Sequence, residues 1–248
     1  MSSTKTQLVR VYPSCDRLPE NLLRFHFYFS NAMRRGSALQ HIHLFNSQNQ
    51  EVFDVFLDTV EELWDPTTTR LTLLFHPGRV KKGLSAYIKM GRALLVGETY
   101  NLVVDQDWLD AQGQPLQSNF SKQFTVVDEY IEILDINTWK VVSPKANTQE
   151  PVFIEFPQPL DCVSLITFIY VEDDRRNWIE GEVDLLNYDK TWSFTPMHPW
   201  TQGCYTLVVN TRLEDLAGNN LNEPFDRVVG KQPHGVHHRL IDLGFVIL

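Results

Sequence analysis

The sequence predicts an all-β chain built from two tandem β-sandwich domains, and three observations lead to this prediction. Helical periodicity is nearly absent from the 248 residues, of which 43% are hydrophobic. Short segments rich in β-branched and aromatic residues alternate with turns rich in Gly, Pro, Asn and Asp, at the spacing of roughly 8–12 residues that β-sandwiches show. A stretch in the middle of the chain also recurs near its end. Two copies of one fold are therefore expected.

The internal repeat has a fixed offset of 105 residues: residues 100–120 read YNLVVDQDWLDAQGQPLQSNF and residues 205–225 read YTLVVNTRLEDLAGNNLNEPF, with 8 of 21 positions identical. Each copy opens with a tyrosine, where a sandwich buries the ring and ties its hydroxyl to the backbone. Each also contains Asp-x2-Gly, a turn in which Asp bonds its own backbone and Gly takes positive φ.

Further strands follow from period-two patterning and flanking turn residues. Residues 23–29 alternate apolar and polar side chains, so one face is expected to be buried and the other wet. Phe27–Met33 and Arg70–Pro77 in the first copy correspond to Ile154–Leu160 and Thr191–Pro196 in the second. Two stretches have room for a helical turn or two, Asn31–Gln40 and Ser85–Leu95.

These elements predict a first sandwich over residues 1–128, with a basic loop insertion at about 78–95, and a second sandwich over 129–230. The first half has 13 basic and 13 acidic residues and the second has 9 and 18, so the second domain carries the net charge of −9. Residues 231–248 are expected to form a linker and a closing strand. That strand completes the second sandwich or, alternatively, covers an edge of the first.

The second copy resembles the bacterial immunoglobulin-like domain of the S-layer and surface-protein type. The matching segments are Phe156–Leu160, Phe194–Pro196, Gly203–Val209 and Asp215–Leu221. The first copy departs from this outline at Gln114 and Pro115. The resemblance implies an immunoglobulin-like fold in a bacterial protein with two such domains. It also implies spacer, adhesin or accessory roles, although a fold alone assigns no function.

Composition limits the classes of ligand and the cellular compartments that are expected for the protein. The acid excess argues against a nucleic-acid or anionic-membrane ligand, and no apolar run approaches the roughly 20 residues of a membrane span. The first residues lack the apolar core of a secretory signal. We nevertheless expect a secreted, periplasmic or surface-anchored protein, with the cytoplasm as the alternative. The three cysteines are expected to be free, with a Cys162–Cys204 disulfide as the alternative.

A basic insert distinguishes the first copy from the second. Phe75 and Tyr100 are 25 residues apart, whereas Phe194 and Tyr205 are 11 apart. We expect the insert's cations and a nearby arginine pair to bind an anion or to dock the acidic domain. The alternative is a loop whose charges only keep it solvated. The candidates are Arg79, Lys81, Lys82, Lys89 and Arg92 in the insert, and Arg34 and Arg35 in the pair.

Trp64 is a candidate glycan contact because three carboxylates flank it in the sequence EELWDP. Sugar-binding surfaces combine an exposed indole with hydrogen-bonding groups. The alternative is a tryptophan that caps a sandwich core. The same core interpretation is expected for Trp108, Trp139, Trp178, Trp192 and Trp200.

Histidines suggest a transition-metal site, since His41 and His43 project from one face of a predicted strand at Gln40–Asn46. His234, His237 and His238 lie in the polar linker. The alternative is surface histidines without a metal. Calcium at the Glu172-Asp173-Asp174 loop or the Asp215 turn is a further possibility. No other cofactor is expected.

No motif for a nucleophile, a zinc protease or a phosphate-binding loop appears in the sequence. We therefore expect a protein that is not an enzyme. The leading hypothesis is a non-catalytic surface or periplasmic binding or scaffold protein that acts through protein or glycan contacts. The alternative is a small-ligand or metal-binding accessory protein that uses the basic insert and the histidines, and an enzyme of unknown class ranks third.

Overall fold

A computed structural model describes residues 5–81, 91–226 and 239–248 of the chain. The chain divides into two compact units, Met1–Tyr130 and Ile131–Leu248. Both are immunoglobulin-like β-sandwiches, each built from two packed sheets. The fold class that the sequence predicts is therefore confirmed.

The first unit contains two four-stranded sheets among its described residues, with strand orders β1-β3-β6-β5 and β2-β8-β7-β4. The paired strands are antiparallel except for β2 and β8, which run parallel. Two short helices interrupt them, α1 (Ala38–His41) and α2 (Pro77–Val80). The strands are β1 (Leu8–Tyr12), β2 (Arg17–Pro19), β3 (Arg24–Phe29), β4 (Ile42–Phe45), β5 (Leu63–Trp64), β6 (Arg70–Leu74), β7 (Thr99–Val104) and β8 (Phe120–Val127).

The second unit has a four-stranded sheet of order β12-β13-β10-β9 and a three-stranded sheet of order β11-β14-β15 in its described part. A 3-10 turn at Ile136–Thr138 and the helix α3 (Cys162–Phe168) complete it. The strands are β9 (Lys140–Val142), β10 (Val152–Glu155), β11 (Ile169–Glu172), β12 (Gly181–Leu186), β13 (Thr191–Pro196), β14 (Gly203–Asn210) and β15 (Leu240–Ile247).

The two units share one topology. The order β9-β10-β13-β12 repeats β1-β3-β6-β5, and β11-β14-β15 repeats β4-β7-β8. The Asp-x2-Gly turn also makes the same contact in both units, since isolated bridges join Met33 to Asp110 and Leu160 to Asp215. Pairing shows the same correspondence, with Ile42 opposite Val104 in the first unit and Ile169 opposite Val209 in the second. Equivalent positions in the two units can therefore be compared residue by residue.

The cores follow the alternation of most strands, and β3 shows how a central strand departs from it. Phe25, Phe27 and Phe29 are buried, as their spacing predicts. His26, on the face expected to be wet, is also buried, and its Nδ1 lies 2.9 Å from Thr72 Oγ1. Because β3 lies between β1 and β6, its neighbours shield this polar residue and supply its hydrogen bond.

The repeat tyrosines have the environment that the sequence predicts. The Tyr100 hydroxyl accepts a hydrogen bond from the Leu95 N–H at 3.2 Å, and the Tyr205 hydroxyl accepts one from the Thr201 N–H at 3.3 Å. Each ring stacks on a phenylalanine of the following strand, Phe124 or Phe245. The two rings therefore anchor equivalent strands in equivalent cores.

The C-terminal strand β15 belongs to the second sandwich. It pairs with β14 along its whole length, from Leu240 opposite Asn210 to Ile247 opposite Gly203. All three cysteines are free, and of these only Cys204 is exposed. No helix in the described part of the chain is both long and apolar enough to cross a membrane.

Candidate functional site

The basic insert is anchored to the first unit through Arg92. Its side chain is only 5% exposed, with Nε 3.3 Å from a Glu20 carboxylate oxygen and Nη2 2.7 Å from Glu129. The guanidinium also donates to the Val80 carbonyl. These ion pairs engage Arg92 within the unit, so its charge is paired there rather than offered to an open surface.

The structure says less about the other candidate cations of the insert. Arg79 is half-buried in α2, where the His76 side chain accepts a hydrogen bond from Gly78 N–H, and Lys81 follows the helix. Lys82 and Lys89 lie outside the described residues. An anion-binding role for this segment stays a prediction.

The arginine pair Arg34 and Arg35 is exposed. Arg35 lines an open groove of about 700 Å³ together with Asp58, Glu61 and Glu62. Because acidic residues share this groove, its charge is mixed. Anion binding by Arg34 and Arg35 stays a prediction.

Trp64 caps the core of the first unit. Its indole N–H donates to the Glu62 carboxylate at 2.6 Å, and its ring packs 5.9 Å from Phe29 and 6.0 Å from Trp108. The same carboxylate accepts hydrogen bonds from two backbone N–H groups of the 36–38 loop. This geometry favours the core-capping alternative over a glycan contact.

The remaining tryptophans were all expected in the cores, and Trp178 departs from that expectation. Trp108, Trp192 and Trp200 are buried and Trp139 is half-buried. Trp178, in contrast, is 64% exposed. The core interpretation of Trp178 is therefore wrong, because this residue follows a hairpin turn at the end of β11.

A rigid turn holds Trp178 in place. The Asp173 carboxylate accepts hydrogen bonds from the N–H groups of Arg175 and Asn177 and from the Asn177 side-chain amide. The bonds from Asn177 are the main reason that the pKa of Asp173 is lowered. Beyond the turn, the backbone of Trp178 bridges back to Glu172, so the backbone that carries the indole is held beside the end of β11.

An open groove of about 580 Å³ lies beside this indole. Its second wall is the segment 196–205, which leads into β14. We call it the Trp178 groove. The exposed polar side chains along it are Asp174, Arg175, Asn177, Glu180, His198, Thr201 and Gln202.

The first unit has the same hairpin with a different residue after it. Asn46 accepts hydrogen bonds from Gln48 and Gln50 N–H as Asp173 does in the second unit, and the bridge that follows joins Phe45 to Glu51. Glu51 therefore occupies the position of Trp178. The match lies at an offset of 127 residues, so the 105-residue repeat did not reveal it.

A second group of polar residues surrounds the two histidines of the predicted strand. His41 ends α1, His43 lies in β4, and Asp105 directly follows β7, which pairs with β4. His43 Nδ1 is 2.6 Å from Glu51 Oε1 and Nε2 is 3.1 Å from Asp105 Oδ2. Burial lowers the pKa of His43, but its hydrogen bonds and attraction to Glu51 and Asp105 outweigh this effect, so the pKa is raised.

Asp107 completes this group on the His41 side. His41 Nδ1 lies 3.2 Å from Asp107 Oδ1, and one potential ligand atom each of His41, Asp105 and Asp107 lie within 4.8 Å of one another. We call these three residues, together with His43 and Glu51, the His41 cluster. His234, His237 and His238 lie outside the described residues, so their part in a metal site stays a prediction.

Two of the carboxylates proposed for calcium, Asp173 and Asp215, are engaged by their own turns, and a calcium site at Glu172-Asp173-Asp174 stays a prediction. Asp173 forms the hairpin contacts described above. Asp215 accepts hydrogen bonds from the N–H groups of Ala217 and Asn219 and from the amides of Asn219 and Gln158. Both turns therefore satisfy these oxygens with N–H donors.

Comparisons with known proteins show similarity at the level of fold. No family model matches the sequence, and no curated protein matches it significantly. Native alpha-2-macroglobulin from Escherichia coli, domains MG0-NIE-MG1, aligns at 10% identity and a TM-score of 0.32, over 84% of this chain and 67% of that one.

Two further solved structures align with the chain. The surface layer protein SbsC, domains 1–6, aligns at 10% identity and a TM-score of 0.34, over all of this chain and 41% of that one. The N-terminal Ig1-2 module of the Drosophila receptor protein tyrosine phosphatase DLAR aligns at 13% identity and a TM-score of 0.23, over 85% of this chain and 90% of that module. Scores this low carry no information on function.

Proposed function

We propose that the protein is a non-catalytic binding module of a bacterial surface or periplasmic protein, and that its second unit binds a neutral oligosaccharide in the Trp178 groove. The observation that carries this proposal is the indole of Trp178, which is 64% exposed beside the groove. An exposed indole beside a groove of polar side chains offers a ligand an apolar face, and covering that face removes apolar area from water.

The chemistry of the groove suits a sugar. One face of a pyranose ring is apolar and can lie on an indole, while its hydroxyls need donors and acceptors around the rim. The groove offers carboxylates, amides and an imidazole along its edge. Its volume of about 580 Å³ also lies within the range of roughly 300–1,000 Å³ that is typical of ligand sites.

Charge decides between kinds of glycan. The half of the chain from residue 129 onward has 18 acidic and 9 basic residues, and Asp174 and Glu180 line the groove itself. An acidic polysaccharide would meet like charge there. We therefore infer a neutral oligosaccharide, with an exposed peptide segment of a partner protein as the competing ligand.

Calorimetry with neutral oligosaccharides, chosen from a glycan array, tests the proposal. Trp178→Ala should weaken binding at least about tenfold, which corresponds to about 1.4 kcal/mol. Trp178→Tyr should retain part of the affinity because it keeps an aromatic face.

The matched control is Phe53→Ala, which removes a ring of the first unit that is 71% exposed. This variant should bind as the parent does. The proposal fails if the array shows no neutral glycan bound, if acidic glycans bind better, or if Trp178→Ala binds with unchanged affinity.

A further inference from the structure

We propose that the His41 cluster of the first unit binds a divalent transition-metal ion, with zinc as its best-suited occupant. His41, Asp105 and Asp107 would supply the ligands, and His43 would position Asp105. This inference concerns the other unit and another class of ligand, so it does not depend on the proposed glycan site.

The spacing of the ligand atoms suits a small ion. Zinc bonds of about 2.0–2.2 Å in a tetrahedron place ligand atoms roughly 3.3–3.6 Å apart. The atoms of His41, Asp105 and Asp107 already lie within 4.8 Å of one another, and the His41 to Asp107 pair is at 3.2 Å. A small rotation of the exposed Asp107 carboxylate and a small shift of the half-buried Asp105 carboxylate would therefore close the site, and water can take the fourth position.

The ligand-bearing segments are held before any ion binds. Asp105 N–H donates to the His41 carbonyl at 2.9 Å, which ties the two segments together. The His41 ring stacks on the buried Trp108, with centroids 5.7 Å apart and planes 15° from parallel. Gln106 N–H donates to the Asn119 side chain at 2.6 Å. Such preorganisation limits the entropy lost when the ion binds.

His43 and Glu51 form an outer layer around the ligands. His43 bridges the two carboxylates, with Glu51 on Nδ1 and Asp105 on Nε2. Metal-binding carboxylates and imidazoles usually have such partners, which fix their orientation. His43 is therefore a positioning residue, and its two bonds leave neither ring nitrogen open to the ion.

The second unit shows that the fold does not require these residues. The positions equivalent to His41 and Asp107 hold Phe168 and Arg212, and the Arg212 guanidinium lies 5.1 Å from the Phe168 ring. The positions equivalent to His43, Asp105 and Glu51 hold Tyr170, Asn210 and Trp178. One scaffold thus has two sets of side chains, and only one set can ligate a cation.

The donor set distinguishes between ions. Calcium and magnesium prefer oxygen ligands alone, whereas an imidazole combined with carboxylates suits zinc and its first-row neighbours. We therefore expect zinc to bind in the presence of excess calcium.

Titration calorimetry with ZnCl2 tests the site in the full chain carrying His234→Ser, His237→Ser and His238→Ser. These substitutions remove three histidines of the linker, because histidine-rich tracts are a common source of additional zinc binding. We expect one equivalent of zinc to bind this parent, and excess CaCl2 to leave the binding unchanged.

Substitutions that copy residues of the second unit should leave the chain folded, because the same fold already carries those residues at the equivalent positions. His41→Phe and Asp107→Arg introduce the residues that the equivalent positions already carry, and each should lower the zinc affinity by more than tenfold. His43→Ala should weaken binding about 10–100-fold but leave the absorption spectrum of the cobalt-substituted protein unchanged, since it removes no ligand. His198→Ala, which removes an exposed histidine of the second unit, is the control and should bind zinc as the parent does.

Three results would overturn the proposal. The proposal is wrong if the parent fails to bind zinc, if His41→Phe and Asp107→Arg bind zinc as tightly as the parent, or if calcium displaces the bound zinc. Circular dichroism of each variant establishes that the chain is folded when the affinity is measured.

Discussion

Asp110 and Asp215 occupy the same position of the Asp-x2-Gly turn in the two units, but their pKa values shift in opposite directions. Burial raises the pKa of Asp110, but the Thr6 hydroxyl at 2.6 Å and two backbone N–H groups outweigh it, so the pKa is lowered. Asp215 in the second unit has no equivalent hydroxyl among its hydrogen-bond partners in the described part of the chain, and burial raises its pKa to about 6. The sequence shows the shared Asp-x2-Gly but not this difference, which depends on a residue 104 positions away in the chain.

Asp215→Asn should change how stability depends on pH. The unfolded carboxyl ionises near 3.8, whereas the folded one keeps its proton to about pH 6. The unfolded state therefore binds fewer protons in this window, and the carboxyl's contribution to stability falls as pH rises through it. Relative to the variant, the parent should lose about 3 kcal/mol between about pH 4 and about pH 7 in urea unfolding.

Asp110→Asn is the control for this experiment. Its lowered pKa means that its stabilising contribution is present above the unfolded value and is lost as pH falls through the folded value. It should leave the slope above pH 4 unchanged. Equal slopes for the parent and Asp215→Asn would contradict the assignment.

At the scale of elements, the strands were more predictable than what lies between them. Period-two patterning locates β3, β6, β7 and their counterparts because alternating side chains must face a core and solvent in turn. The hairpin after β11 has no such signal, since its position depends on hydrogen bonds that Asp173 makes within the turn. Trp178 was consequently assigned to the core, although the turn carries it to the surface.

The closing strand β15 gives the prediction at this scale. Truncation after Gly230 removes β15, which pairs with β14 along its whole length, and leaves β14 as an exposed sheet edge. We expect the truncated chain to lose solubility and the amide protection of β11 and β14. Hydrogen exchange and sedimentation of the soluble fraction measure both effects.

A matched pair of point variants separates loss of the strand from loss of chain length. Phe245 is buried in the second core and Val246 is exposed. Phe245→Ala should cost about 3–5 kcal/mol, whereas Val246→Ala should change stability by less than about 0.5 kcal/mol. A stable, soluble truncated chain, or equal effects of the two substitutions, would show that β15 is dispensable.

At the scale of the whole molecule, each unit has its own core. Residues 131–133 follow the last contacts of the first unit, where Asn21 and Tyr130 exchange two hydrogen bonds. The next hydrogen bond, from Leu134 N–H to the Asn220 carbonyl, lies in the second unit. Distinct cores predict distinct responses to core substitutions.

Trp192→Ala tests this expectation. Trp192 is fully buried in the core of the second unit, and its truncation should cost about 3–5 kcal/mol. Hydrogen exchange should show lost protection in β10, β13 and β14, with protection in β3 and β7 unchanged. Trp108→Ala, in the first unit, should show the reverse pattern. A loss spread evenly over all strands in both variants would contradict separate cores.

The sequence by itself determined the all-β class, the two copies and most strand positions. These features depend on the local alternation of apolar and polar residues and on a repeat that is still detectable as sequence identity. It also singled out His41 and His43, although the predicted strand Gln40–Asn46 is wrong at His41, which ends α1, while His43 lies in β4. Their partners Glu51, Asp105 and Asp107 come from other segments, and only strand pairing brings β4 beside β7. Tertiary structure likewise decided that Trp64 and Arg92 are engaged inside the first unit and that Trp178 is exposed, since burial depends on neighbours distant in sequence.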